Sequence, residues 1–135
     1  MRKGIAEERD LVNKLDRLGF AVLRAPASGS RTKLDRPDII AGRVGLHLAL
    51  EVKSTHQKTL YVKKESIHQL MRFAEKFGAK GLLAIKFKHQ CPDWILLDPS
   101  LLTPTEKGYK INLKSAIKTG IGLEALVTKK ITDYS

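Results

Sequence analysis

Cysteine occurs once in the 135 residues, at Cys91, so no disulfide can form within the chain. No apolar run approaches the roughly 20 residues that a membrane-spanning helix requires. The N-terminus is polar and charged with no signal-peptide core, so a cytoplasmic protein is expected. Asn and Gln are scarce, limited to Asn13, Asn112, Gln57, Gln69 and Gln90, while Lys and Glu are common, a weak thermophile trait. Acids are short as well: 14 Asp and Glu against 25 Lys and Arg leave a net charge of +11. An enzyme of small neutral substrates has no need of that excess. A protein that binds a polyanion does, because each Lys or Arg on a phosphate releases counterions. Solubility is the other use of such charge. Paired ligand spacing is missing among His47, His56, His68 and His89, which argues against zinc. Cys91 has no CxxC partner and reads as a buried apolar residue, and Trp94 reads as core. A Gly-rich phosphate loop is absent, so no nucleotide cofactor is indicated.

What the chain does contain is the length for one domain with a sizeable core. Residues 5–18 repeat Ile5, Leu11, Val12, Leu15 and Leu18 at helical spacing, and Gly19 stops the helix. Residues 20–23 read as a strand that ends near Pro26, and 26–36 as a polar loop. Residues 37–41 and 46–53 read as two strands joined by the turn between Gly42 and Gly45, an antiparallel hairpin. A polar stretch, 54–63, leads to a helix at 64–77 whose apolar face is Ile67, Leu70, Met71, Phe73, Ala74 and Phe77, capped by Gly78. Strands follow at 81–87 and 94–97. Residues 99–110 read as loop, and 113–127 as one or two short helices. The order α, β, β, β, α, β, β suits an α/β domain with a central mixed sheet of about five strands flanked by helices.

The chemistry concentrates between Arg36 and Lys53. On a helical wheel, Glu8 lies near the middle of the apolar arc of about 140° on the first helix. A carboxylate aimed at a core needs a metal, a cation or a wet cleft. A Glu at a helix start is also favoured simply by the dipole. In the third strand, Ala49, Glu51 and Lys53 share one face and Leu48, Leu50 and Val52 the other, so Glu51 and Lys53 project side by side about 7 Å apart. Taken alone this pair is often a surface ion pair. Asp38, after Pro37, starts the second strand, as a turn residue commonly does. Across a hairpin turning at 43–46, residues 38 and 53 can face each other and Asp38 becomes a neighbour of Glu51. Two close carboxylates raise each other's pKa, and a hard divalent cation such as Mg²⁺ relieves that repulsion while keeping several waters.

Pro37-Asp38, twelve intervening residues and Glu51-Val52-Lys53 together resemble the PD-(D/E)xK nuclease motif. Further segments narrow the likeness. Lys3-Gly4-Ile5-Ala6-Glu7-Glu8-Arg9, Gly19-Phe20-Ala21-Val22-Leu23-Arg24-Ala25-Pro26-Ala27-Ser28-Gly29-Ser30, Leu60-Tyr61-Val62 and Phe73-Ala74-Glu75-Lys76-Phe77-Gly78 resemble the archaeal Holliday junction resolvases. The likeness covers about residues 3–98 clearly. Residues 1–135 are then one nuclease domain of restriction-endonuclease-like fold, with a C-terminal extension from about 99.

The resemblance implies a metal site of Asp38 and Glu51, with the Val52 carbonyl a third ligand and Glu8 completing it directly or through water. The expected cofactor is one or two Mg²⁺ ions, with Mn²⁺ able to substitute. Lys53 matches the lysine that orients the attacking water or stabilises developing negative charge. Ser28 matches a loop serine near the scissile group. Arg9 and Arg24 match basic residues needed for DNA binding or cleavage. Lys3, Ser30, Arg31, Lys33 and Arg36 are expected to add DNA contacts. The family implies a homodimer, and Phe73 and Phe77 match positions at its interface, though core packing is their other use. The implied function is paired cutting of four-way DNA junctions in recombination and repair, in a cytoplasmic protein associated with the nucleoid. Two alternatives remain at this point: a duplex-cutting restriction or repair endonuclease of the same superfold, and a basic, non-catalytic junction binder.

Overall fold

The computed structural model describes residues 5–25 and 34–127. Lys3, Ser28, Ser30, Arg31 and Lys33 therefore lie outside the described residues. Helix α1 (Ile5–Arg17) is followed by strands β1 (Ala21–Arg24), β2 (Ile39–Arg43), β3 (Leu46–Thr55) and β4 (Thr59–Lys63). Helix α2 (Lys64–Phe77) comes next, then β5 (Lys80–Phe87), β6 (Ile95–Leu97), a 3-10 turn at Pro99–Leu101, β7 (Thr103–Pro104), β8 (Gly108–Asn112) and α3 (Leu113–Thr119). The central sheet has five strands in the order β1-β2-β3-β5-β6. It is mixed, since β3 and β5 run parallel and the other pairs antiparallel. The expected fold class is observed.

Period-2 alternation sends neighbouring residues of the central strands to opposite faces, so one strand feeds two cores. Leu48, Leu50, Leu82 and Ala84 join Leu11 and Leu15 of α1 and Trp94 on one face. Ala49, Leu83, Ile85 and Phe87 join Ile67, Leu70 and Ala74 of α2 on the other. Gly78 ends α2 with φ 81° and donates its N–H to the Ala74 carbonyl, a left-handed stop that glycine takes without a Cβ penalty. A Cβ at Gly81 would stand 3.2 Å from the Ala74 methyl, so glycine lets α2 lie close on β5.

Two segments differ from the sequence expectation. Within the polar stretch 54–63, residues Thr59–Lys63 form β4, and the loop 99–110 contains β7 and the start of β8; together they make a second sheet ordered β4-β8-β7. The burial of β4 alternates, with Leu60 and Val62 inward, yet only two apolar residues face the core and lysines flank them. Strands so short are decided by pairing with a remote partner, here Thr59–Lys63 against Gly108–Asn112. Pro104 is tolerated because β7 is an edge strand. The third difference is register. Ile39 pairs with Leu50, and continuing that register sets Asp38 opposite Glu51 rather than Lys53.

Candidate active site

Asp38 is fastened to both neighbouring strands. Its N–H donates to the Leu50 carbonyl at 3.0 Å and its carbonyl accepts from Ala25 N–H at 2.9 Å. Its Oδ2 accepts from the Val52 N–H at 2.8 Å. Pro37 before it is buried and biases the backbone towards an extended entry to β2. The carboxylate is thus held by backbone geometry and leans over β3. Val52, the resemblance's carbonyl ligand, is engaged through its N–H by this same carboxylate.

Glu51 projects from β3 beside Lys53, whose Nζ stands 3.7 Å from Glu51 Oε2. Glu8 reaches the group from α1 and is braced by Arg24 of β1, with Nε donating to Oε1 at 3.3 Å. The outward β1 position of Arg24 therefore serves to brace the helix acid. Arg9, the other basic residue expected at the DNA, is exposed on α1, and Arg36 is half-buried just before Pro37.

The electrostatics tie the three acids together. Burial pushes the Glu51 carboxyl up to about 7, the Asp38 charge adds to this and Lys53 opposes it, with Glu8 a smaller upward push. Burial also raises Asp38, against the Val52 N–H and Lys53. Glu8 is raised by burial and then by the Asp38 charge, against Arg24. Burial raises all three acids and the Asp38 charge adds to Glu8 and Glu51, so the site gains from a cation.

The donor chemistry fits Mg²⁺ or Mn²⁺, since the acids offer carboxylate oxygens, the hard donors these ions take. Among the described residues no three acidic, imidazole or thiol groups close into a ready-made cage. A cation that retains most of its waters needs no such cage, and Asp38 with Glu51 would offer the one or two direct carboxylates it takes.

One brace beside the site carries no signal in the sequence. Arg72 of α2 makes a two-pronged bond to Asp35, at 2.9 and 3.0 Å, and a further bond to Glu65 at 3.1 Å. This ties the backbone just ahead of Asp38 to α2. No local spacing signals a pair 37 residues apart. Phe73 and Phe77 stack with centroids 5.2 Å apart. Phe73 packs against the core, while Phe77 is 52% exposed and Met71 42% exposed. Trp94 is core at 2% exposure, as expected, whereas Cys91 is only partly buried and directs its thiol towards the Asp93 carbonyl.

A mixed sheet with helices on both faces, carrying Asp38 and Glu51-Val52-Lys53 at paired strand ends, defines a nuclease of the PD-(D/E)xK class. The family model described as archaeal Holliday junction resolvase (Hjc) matches residues 1–133, and the chain belongs to that family. It is 39% identical over 127 residues to the crossover junction endodeoxyribonuclease Hjc of Sulfurisphaera tokodaii, covering 93% of this chain and 85% of that protein. Against the Hjc of Archaeoglobus fulgidus it is 37% identical over 110 residues, covering 82% and 79%. The solved structure of A. fulgidus Hjc, a Holliday junction resolvase from an archaeal hyperthermophile, superposes with a TM-score of 0.81 at 33% identity, covering 88% of this chain and 95% of that one.

Proposed function

We infer that this chain is a structure-selective DNA endonuclease that resolves four-way junctions by paired phosphodiester cuts in recombination and repair. The observation that carries the reading is the convergence of Glu8, Asp38 and Glu51 beside Lys53 in a member of the resolvase family. A pure DNA binder gains nothing by placing three mutually repelling acids where phosphates must come.

Asp38 and Glu51 would hold one or two Mg²⁺ ions, with the Val52 carbonyl and Glu8 completing the set. When bound, the ion supplies Lewis acidity that makes water a better nucleophile and screens the phosphate. The chain's own residues do the rest. The β2–β3 backbone keeps Asp38 in place through the Val52 N–H, so little reorganisation is needed as charge develops. Lys53 sets a fixed positive charge beside Glu51, placed to orient the attacking water or to meet charge building on the phosphate oxygens. Arg24 holds Glu8 ready in the free protein and is positioned to exchange that partner for a DNA phosphate.

Two copies about a two-fold axis would present identical sites to opposing strands, which accounts for paired cuts. The stacked Phe73 and Phe77, with Phe77 half exposed, support α2 as the dimer face. Shape discrimination needs phosphate contacts rather than base reading, and Arg9, Arg24 and Arg36 with Lys3, Ser28, Ser30, Arg31 and Lys33 are the candidates. Association with the nucleoid follows from such binding.

The test is incubation of the protein with a synthetic four-way junction and, separately, the matched linear duplex, with Mg²⁺ and with EDTA, beside Glu51→Gln. Symmetric paired nicks in the junction alone, lost with EDTA or in the variant, are expected. Equal cutting of the duplex would replace resolution by general or restriction-like cleavage, and tight binding without cutting in any metal would leave a junction-binding protein.

A further inference from the structure

We propose that an open cleft beside the carboxylates is a second, protonation-dependent binding site for a DNA backbone phosphate, built around His56 and His89. This rests on the junction-resolving reading above. The cleft, of about 550 Å³, lies between the early turns of α1 and the two turns that follow β3 and β5. It adjoins the acid site through consecutive residues of α1: Glu8 faces the acids, and Glu7 lines the cleft. His56 follows Glu51 by five residues, at most about 17 Å of chain. One bound DNA backbone can span both.

The two imidazoles are held in place by their turns. His89 is the one non-glycine residue with positive φ among those described, at 65°, a conformation that needs support from its surroundings. That support is visible. The Gln90 side-chain amide donates to the carbonyls of His56 and Gln57 at 2.9 and 3.0 Å. The Lys88 N–H donates to the Thr55 carbonyl at 2.8 Å. Both turns are thereby locked together, and the imidazoles stack with centroids 5.5 Å apart, exposed at the cleft edge.

The rest of the lining is cationic but largely neutralised. Lys14 pairs with Asp10 at 3.0 Å and Lys88 with Glu7 at 2.8 Å. Lys86 sits over the Trp94 ring, 5.5 Å from its centroid, and the indole N–H donates to Asp10 at 2.9 Å. Three lysines against two carboxylates leave one net positive charge among the lining groups. Protonating both imidazoles raises it to three. Stacked imidazolium rings repel, and an anion between or beside them removes that cost. Phosphate binding and proton uptake at this cleft are therefore reciprocally linked.

The experiment measures affinity for a fluorescent four-way junction in EDTA at about pH 6 and about pH 8, for wild type, His56→Asn/His89→Asn and Lys86→Gln. Asn tolerates the left-handed backbone at residue 89. Wild type should bind roughly tenfold tighter at the lower pH relative to the double variant, with the two converging at the higher pH. Glu8, Asp38 and Glu51 titrate in both proteins, so the difference between them isolates the histidines. Lys86→Gln should weaken binding at both pH values and lower the salt slope by about one. Identical pH profiles for wild type and double variant, or equal weakening at both pH values, overturn the cleft assignment while leaving resolution intact. A wild type that neither binds nor cuts the junction overturns both.

Discussion

Glu51→Gln is expected to stabilise the metal-free protein, and to do so only above mildly acidic pH. Burial and the neighbouring Asp38 charge lift the Glu51 carboxyl from 4.5 to about 7 in the folded state. Between those values the native state keeps a proton that the unfolded chain releases. Stability from this group is therefore complete below about pH 4.5 and is lost as pH rises through about 7. The full loss is about 3 kcal/mol, since each pH unit separating the two values is worth about 1.4 kcal/mol. Gln is neutral at every pH and escapes it. The variant and wild type should have similar unfolding free energies near pH 4.5, with the variant ahead by about 3 kcal/mol near pH 8. Urea unfolding in EDTA is the assay, since an ionic denaturant would screen the effect. Mg²⁺ should then act in the opposite sense, stabilising wild type alone, by about 1.4 kcal/mol at ten times its dissociation constant. A stability difference that does not change with pH, or a variant less stable near pH 8, would refute the account of Glu51 as a strained acid awaiting a cation.

Three further outcomes are expected. Lys53→Met should lower junction cleavage by about a hundredfold or more while leaving junction affinity within a few-fold, read by single-turnover cleavage and by binding in EDTA. Log affinity for the junction should fall with log salt at a slope of about −5 if six phosphates are contacted, and Arg9→Ala should reduce the steepness by about one; an unchanged slope would remove Arg9 from the contact set. Phe77→Ala, at a half-exposed position, should preserve the fold by circular dichroism yet shift sedimentation towards monomer, whereas an unaltered oligomeric state would return Phe77 to helix packing alone.

Elements with strong internal periodicity are legible in the amino-acid order alone. The apolar repeat of α1, the α2 face closed by Gly78 and the long runs of β3 and β5 each carry enough burial to define themselves. The site is legible for a related reason. Glu51 and Lys53 share a face by alternation alone, and Glu8 stands in an apolar arc where an acid is costly without a partner. The short strands β4, β7 and β8 are not legible. A five-residue strand with two inward apolar side chains gains its stability from a partner some fifty residues away, and no local pattern encodes that pairing.

The amino-acid sequence by itself determined the class of chemistry: paired carboxylates, one adjacent lysine, a strong positive charge and a mixed α/β domain to carry them. Those follow from residue type and from periods of 3.6 and 2, which are local properties. Only the tertiary structure decided the register that sets Asp38 across from Glu51, the Val52 N–H that holds Asp38 and the Arg24 brace on Glu8. It alone joined Arg72 to Asp35 and brought His56 onto His89. Each is a contact between residues distant in the chain, chosen by how two cores pack on opposite faces of one sheet.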